Sequence, residues 1–128
     1  MSEVDWVGAH FSCSAAKTIA SLKTEARALY EQYCRDAPPP LSMSLNLRET
    51  AEGFSLWRDS GPGFKVTRWG ESIVAEPLGT SPALIEATLV VTDVAECKLS
   101  TNGIELSRAQ FLRLLFEGVF FGPTGSIR

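Results

Sequence analysis

One amphipathic stripe near the start of the chain limits the folds that this sequence can adopt. Its apolar residues recur at steps of four, three, four, three and four, which is the spacing of one face of an α-helix. They are Ala15, Ile19, Leu22, Ala26, Leu29 and Tyr33. Polar residues fill the positions between them, so this helix requires an apolar surface along one side. We predict a helix over residues 14–36, capped by Ser12 or Ser14 and ended by the APPP run at 37–40.

The apolar period changes to two directly after Pro40. Residues 41–47, LSMSLNL, alternate an apolar residue with serine or asparagine, which is typical of a strand with one buried face. Three further strands are predicted from the runs FSLWRD at 54–59, FKVTRW at 64–69 and SIVAEPL at 72–78. Consecutive strand runs joined by short turn sequences indicate an antiparallel meander.

Glycine positions predict how these strands connect. Gly61-Pro62-Gly63 is predicted to form a turn, with Gly63 as a candidate for positive φ. Gly70-Glu71 suits a type II′ turn, because the first central position of that turn requires positive φ. The resulting register sets Trp69 opposite Ser72, Thr67 opposite Val74 and Lys65 opposite Glu76.

The last third of the chain predicts more strands and a closing helix. Residues 84–92 are rich in β-branched side chains, which favours a strand, although Ser81-Pro82 leaves a short helix at 82–87 as the alternative. Asn102-Gly103 predicts a type I′ hairpin. Ser107 and Gln110 form a capping-box pattern at the start of a helix. The predicted buried residues of that helix are Phe111, Leu114, Leu115 and Val119.

These elements predict one α+β domain over residues 1–128. It would contain a long N-terminal helix, an antiparallel meander of six or seven strands and a C-terminal helix packed on the sheet. Residues 1–12 are predicted to form an N-terminal arm and residues 122–128 a C-terminal tail. No run approaches the about 18 apolar residues of a membrane span, so no membrane partner is expected.

Composition limits the compartment and the partners that we expect. Cys13, Cys34 and Cys97 are an odd number of cysteines at wide spacing, which favours reduced thiols and a cytoplasmic location. The N-terminal residues lack the basic and apolar regions of a secretion signal. The net charge of −3 disfavours a nucleic-acid partner.

The motifs assemble no catalytic, metal or cofactor site. His10 is the only histidine, and with Cys13 it supplies fewer ligands than zinc requires. The acidic residues are scattered, so the spacing selects no pair as general acid and base. The glycine-rich runs lack the following lysine of a phosphate-binding loop. We therefore predict no catalytic residues, no metal ligands and no cofactor.

The stretch WRDSGPGFKVTRWGES, residues 57–72, holds the candidate binding residues Trp57, Arg58, Arg68 and Trp69. Tryptophan and arginine are enriched at binding hot spots, although ordinary cross-strand packing is the alternative interpretation. The loop length does not settle the pairing register, so two strand parities remain. One parity places Phe54, Leu56, Phe64, Val66, Ile73 and Ala75 on one face and leaves Trp57, Thr67, Trp69 and Val74 on the other, whereas the opposite parity mixes the two sets. Since both faces are partly apolar, we expect a helix, curling of the sheet or a partner to cover the second face.

The absence of catalytic motifs favours a non-catalytic protein–protein interaction domain, such as an adaptor, a chaperone-like protein or an inhibitor or immunity-type protein. The alternatives are an α+β cup that binds a small molecule and, with less support, an enzyme that uses carboxylates. The apolar run FLRLLFEGVFF at 111–121 suits either a core helix or the seam of a homo-oligomer.

Overall fold

The computed structural model describes residues 6–59, 61, 63–78 and 85–120. The helices in these residues are α1 (Trp6–Ser12), α2 (Ala15–Asp36), α3 (Pro39–Ser42) and α4 (Arg108–Phe120). The strands are β1 (Leu45–Glu49), β2 (Gly53–Arg58), β3 (Gly63–Trp69), β4 (Ser72–Pro77), β5 (Ile85–Val91), β6 (Cys97–Thr101) and β7 (Ile104–Leu106). The predicted α+β class, with helices before and after an antiparallel meander, is confirmed.

The strands form one antiparallel sheet in which each strand pairs with its neighbours in the chain, from β1 to β7. Gly70 has a φ of 62° at the β3–β4 turn, and Asn102 and Gly103 have φ values of 53° and 79° at the β6–β7 turn. These positive angles are the ones that the predicted type II′ and type I′ turns require. The predicted register of β3 on β4 is confirmed, with Trp69 opposite Ser72, Thr67 opposite Val74 and Lys65 opposite Glu76.

One face of the sheet carries the hydrophobic core. The strand register places Phe54, Leu56, Phe64, Val66, Ile73 and Ala75 on this face, which selects the first of the two parities that the sequence left open. All are buried and belong to one cluster with the apolar stripes of α2 and α4. The opposite face, here called the outer face, carries Trp57, Lys65, Thr67, Trp69 and Val74. The outer face is not wholly exposed, because Thr67 and Val74 on it are buried, at 7% and 0% exposure.

The long helix α2 forms where its stripe predicts it. The Ser14 Oγ atom accepts a hydrogen bond of 3.2 Å from the backbone N–H of Lys17, which satisfies one of the free amides at the helix start. Leu22 and Ala26 have 0% exposure, so the centre of the stripe lies fully in the core. Leu29 is only partly buried. The predicted burial of the stripe is thus confirmed at Leu22 and weaker at Leu29.

Two polar contacts join α2 to β1. Arg27 donates hydrogen bonds of 2.7 and 2.6 Å to the two carboxylate oxygens of Glu49. This hydrogen bonding lowers the pKa of Glu49. The hydroxyl of Tyr30 lies 3.5 Å from the carbonyl oxygen of Leu45, and burial raises the pKa of Tyr30. These contacts orient the helix along the first strand.

The capping box of α4 is confirmed. The Ser107 Oγ atom accepts from the N–H of Gln110 at 3.1 Å, and the Gln110 Oε1 atom accepts from the N–H of Ser107 at 2.8 Å. The buried residues of α4 are Phe111, Leu112, Leu115, Phe116 and Val119. The predicted burial of Leu114 is wrong, because this side chain is 53% exposed. The buried face is turned toward Leu112 and Phe116, since α4 packs against α2 as well as the sheet.

The predicted strand over 41–47 is wrong in its first half. Helix α3 spans Pro39–Ser42, with proline in its first turn, and β1 begins only at Leu45. Leu41 and Met43 are consequently exposed. Proline favours the first turn of a helix because its φ already suits a helix and its missing N–H would have no helical partner there.

Three other boundary predictions need correction or restriction. The predicted arm over 1–12 contains helix α1, and residues 1–5 lie outside the described residues. The strand predicted over 84–92 is confirmed by β5. The alternative of a short helix at 82–87 is therefore wrong for residues 85–87, and residues 79–84 lie outside the described residues. Gly63 is the first residue of β3 and does not have positive φ. Ser60, Pro62 and the predicted tail at 122–128 are not described.

The prediction of three reduced thiols is wrong for two of them. Cys13, between α1 and α2, forms a disulfide with Cys97, the first residue of β6, and Cys34 is a free cysteine. Their Cα atoms lie 5.3 Å apart, within the range that a disulfide spans. The cytoplasmic prediction thereby loses its support from cysteine usage, because disulfides persist mainly in oxidising compartments.

Within the part of the chain that is described, no helix combines the length and the apolar character needed to cross a membrane.

Candidate functional site

The four predicted binding residues lie at two separate ends of the β2–β3 hairpin. Trp57 and Arg58 are the last residues of β2, where Trp57 pairs with Gly63. Arg68 and Trp69 are the last residues of β3, whose first residue is Gly63. At about 3.3 Å per strand residue, the two pairs are about 20 Å apart. The four residues therefore do not form one continuous patch.

Strand alternation also divides the four residues between the two faces of the sheet. Arg58 pairs with Leu45 and Arg68 pairs with Ile73, both core residues, so the arginines lie on the helix side. Trp57 and Trp69 lie on the outer face. Trp69 is 53% exposed, whereas Trp57 is half-buried. A partner that contacts the exposed outer face at Trp69 would not reach Arg58.

Arg58 is the centre of an intramolecular hydrogen-bond network. Its Nε atom donates to the carbonyl oxygen of Val119 at 3.1 Å. Its Nη1 atom donates to the Leu41 carbonyl at 3.0 Å and to Ser44 Oγ at 2.6 Å. Its Nη2 atom donates to the Tyr33 hydroxyl at 2.7 Å and to the Phe120 carbonyl at 3.2 Å. All of these acceptors are neutral oxygens, and together they use the full donor capacity of the guanidinium.

This network shows that Arg58 joins four parts of the fold. Its acceptors belong to α2, to α3, to the segment before β1 and to the C-terminus of α4. The last carbonyls of a helix carry partial negative charge, which favours a cation at that position. Arg58 therefore has a structural role within the chain. Arg68 is exposed, and partner binding by Trp57, Arg58, Arg68 and Trp69 stays a prediction.

A groove of about 580 Å³ lies between α2 and α4. Its apolar lining consists of Ala28, Leu29, Ala109, Leu112, Phe116 and Phe120. Phe116 is buried, and its ring lies 5.5 Å from that of Phe64 in the sheet. Because the floor of the groove is part of the hydrophobic core, the core packing holds its shape before any ligand binds.

Charged side chains surround this apolar floor. Glu25, Arg113 and Glu117 line the groove. Glu25 of α2 binds the Nε atom of Arg108 at 2.7 Å, which links the two helices. Arg113 and Glu117 bind each other at 3.3 Å along α4. The groove thus suits an apolar group that is flanked by charges of both signs.

The network of Arg58 also shapes one end of the groove. The Phe120 carbonyl accepts from Arg58, and the Phe120 ring stacks on that of Tyr33 with centroids 4.3 Å apart. Phe120 in turn lines the groove. Arg58 is therefore a positioning residue for the groove wall, although it does not line the groove itself.

The sequence prediction missed the groove. One signal was present in α4, where Leu112 and Phe116 widen the apolar face beyond the Phe111, Leu115 and Val119 stripe that packs on the sheet. A helix with two adjacent apolar faces contacts more than one neighbour. The distance between α2 and α4 decides whether that second face is covered, and no sequence pattern reports this distance.

The sequence also contained two partial zinc ligands, His10 and Cys13. His10 is exposed on α1, and the nearby Cys13 is bonded to Cys97. Among the residues that the structure describes, no group of three or more histidine, cysteine, aspartate and glutamate side chains is placed to hold a metal ion. Searches against protein-family models, curated proteins and solved structures find no match for this chain.

Proposed function

We propose that the protein is a non-catalytic interaction domain, and that the groove between α2 and α4 receives an apolar helix of a partner protein. The observation that carries this proposal is the groove itself, with an apolar floor that belongs to the core and with charged margins. Adaptor, chaperone-like and inhibitor proteins use surfaces of this kind, in which a fixed apolar groove recognises a segment of another chain.

A helix suits this groove better than an extended strand. Glu25 of α2 contacts Arg108 near the start of α4, and Tyr33 of α2 contacts Phe120 at its end. The two helices therefore run in the same direction along the groove. A third helix can lie in such a groove at the usual helix–helix distance of about 8–10 Å. The small side chains of Ala28 and Ala109, both exposed, permit this approach.

A small apolar ligand is the second candidate occupant. The volume of about 580 Å³ falls within the range of small-molecule sites. Arg113, at the margin, would provide a counter-ion for a ligand carboxylate. Native mass spectrometry of gently purified protein tests this candidate, because a retained ligand adds a defined mass that is lost after denaturation.

Site-specific photo-crosslinking tests the protein partner. A photoreactive amino acid at position 109 should form adducts of protein mass in the native cells. The same residue at Thr88, which is exposed on the outer face, should not form them. If position 109 forms no protein adduct, the proposed function is wrong.

A matched pair of substitutions excludes indirect effects. Ala28→Glu introduces a charge into the apolar lining across the groove from position 109 and should abolish the adducts. Ala20→Glu introduces the same charge at an exposed α2 position outside the groove and should leave the adducts unchanged. Equal melting temperatures of the two variants would show that the loss reflects binding and not unfolding.

A cytoplasmic location stays a prediction. Rapid alkylation of free thiols in the native cells, followed by mass analysis, measures how much of Cys13 and Cys97 is oxidised there. A fully reduced pair would support the cytoplasmic prediction, and a fully oxidised pair would contradict it.

A further inference from the structure

Helix α1 is too short and too exposed to stay folded by itself. It has seven residues, and an isolated helix of fewer than about 12 residues is unstable in water. It packs on β5 and β6, but none of its described side chains, at positions 7–12, belongs to the hydrophobic core. Its apolar side chains Val7 and Phe11 are 48% and 77% exposed. Burial of apolar surface therefore contributes little to holding α1 on the sheet.

The disulfide between Cys13 and Cys97 supplies a covalent attachment for this helix. Cys13 directly follows α1, and its N–H donates to the Ala9 carbonyl at 2.8 Å, so it completes the last turn. Cys97 is the first residue of β6 and pairs with Val91 of β5. The bond therefore holds the end of α1 against the two strands on which the helix packs.

Residues 13 and 14 separate α1 from the core helix α2. Ser14 has extended backbone angles, with φ of −116° and ψ of 154°, and its side chain caps α2. The first residue of α2, Ala15, has 0% exposure and belongs to the hydrophobic core. Helix α2 is therefore anchored from its first turn without the disulfide. Rotation about residues 13 and 14 can carry α1 away from the sheet while α2 stays in place.

We propose that the Cys13–Cys97 disulfide is a redox switch: when a dithiol reductant cleaves it, α1 leaves the sheet and unfolds, while the remaining fold persists. Both cysteines are half-buried, so the reductant can reach the bond from solvent. A thiolate of the reductant attacks one sulfur, the bond between Cys13 and Cys97 breaks, and the second thiol of the reductant resolves the mixed disulfide. The protein gains two electrons and two protons and forms two thiols, and the reductant becomes a disulfide. This switch does not depend on the groove between α2 and α4.

Release of α1 changes the surface at this end of the sheet. Val91 and Leu89 of β5 lie on the same side of the sheet as Cys97, because they pair with Cys97 and with the core residue Leu99. Val94, in the turn between β5 and β6, is already exposed. Reduction therefore enlarges the exposed apolar surface beside this turn, and reoxidation covers it again.

Amide hydrogen exchange, followed by mass spectrometry, tests the switch on a Cys34→Ser background, which keeps only the two bonded cysteines. In the oxidised protein, the hydrogen-bonded amides at the end of α1, including that of Cys13, should exchange slowly. Dithiothreitol should make them exchange about tenfold faster or more, because the released helix is too short to stay folded. The amides of α2 should stay protected, and removal of the dithiothreitol with reoxidation should restore slow exchange in α1.

Two variants without the bond are the matched controls. Cys13→Ser and Cys97→Ser, each on the same background, should show fast exchange in α1 with or without dithiothreitol. The inference is wrong if α1 of the reduced protein keeps its slow exchange, because contacts with the sheet alone would then hold it. It is also wrong if α2 loses its protection together with α1, or if dithiothreitol does not cleave the bond in the folded protein, since the disulfide would then be a fixed part of the whole fold.

Discussion

Arg58→Ala should substantially destabilise the protein, although the sequence suggests an arginine on a binding surface. The substitution removes the guanidinium that donates to Tyr33, Ser44 and the carbonyls of Val119 and Phe120. A hydrogen bond to a charged group contributes about 1.5–3 kcal/mol, but such contributions do not add fully. The site is half-buried, so water can replace the guanidinium at part of the freed acceptors. We therefore count two lost bonds and expect the free energy of unfolding to fall by about 3 kcal/mol.

Differential scanning calorimetry measures this loss. For 128 residues, an unfolding entropy of about 2.1 cal/mol/K per residue converts about 3 kcal/mol into a fall of about 11 °C in the melting temperature. Arg58→Lys should fall between the parent and Arg58→Ala, because lysine keeps the charge and loses the planar fork. Binding of a partner in the groove should also weaken in Arg58→Ala, since Phe120 in the groove wall loses one of its contacts.

Arg68→Ala is the matched control, because it removes the same side chain from the same side of the sheet at an exposed position. Its free energy of unfolding should stay within about 0.5 kcal/mol of the parent value. Equal melting temperatures for the two alanine variants would refute the structural role that we assign to Arg58.

Three further predictions test the core, the disulfide and the hairpins. On a Cys34→Ser background, a reducing agent should lower the free energy of unfolding by about 2–4 kcal/mol, because the disulfide closes a loop across 84 positions. This prediction is contradicted if the reducing agent leaves the melting temperature unchanged, or if it lowers the melting temperature equally in a variant that lacks Cys97. Leu22→Asp should cost about 4 kcal/mol or more, since it places an unpaired carboxylate where exposure is 0%, and a variant that melts like the parent would place α2 outside the core. Gly63→Val should lower the free energy of unfolding through a clash, because a Cβ at this position would lie 2.4 Å from the Cβ of Trp57. Gly70→Ala should lower it by only about 1 kcal/mol, because a Cβ there has no atom within 4 Å and only the positive φ is unfavourable. The same small loss in both glycine variants, measured by chemical denaturation, would show that the β2–β3 contact is not tight.

Most of the features that were predicted correctly from the sequence depend on residues that are close together in the chain. The α2 stripe, the capping box at Ser107 and the turns at Gly70 and Asn102 were predicted correctly. Each depends on residues within a few positions of one another, where spacing and backbone preference act directly. The main local error, the start of β1, has a local cause as well, because proline at the start of α3 outweighs the alternation that follows it.

The candidate site depends on contacts between residues that are far apart in the chain. Arg58 meets the carbonyls of Val119 and Phe120, and Cys13 meets Cys97. Arginine and tryptophan in a strand suit either a binding surface or internal packing, and the residues beside them in sequence do not distinguish these roles.

The sequence by itself determined the two long helices α2 and α4, most strands and the register of the β3–β4 hairpin. Only the tertiary structure decided that Arg58 holds the end of α4, that Cys13 is oxidised and that Leu112 and Phe116 form the floor of a groove. The physical reason is that periodicity specifies which face of an element is apolar, whereas the separation of α2 and α4 arises from how the whole core packs. A groove is the space that this packing leaves between elements, and it therefore has no pattern of its own along the chain.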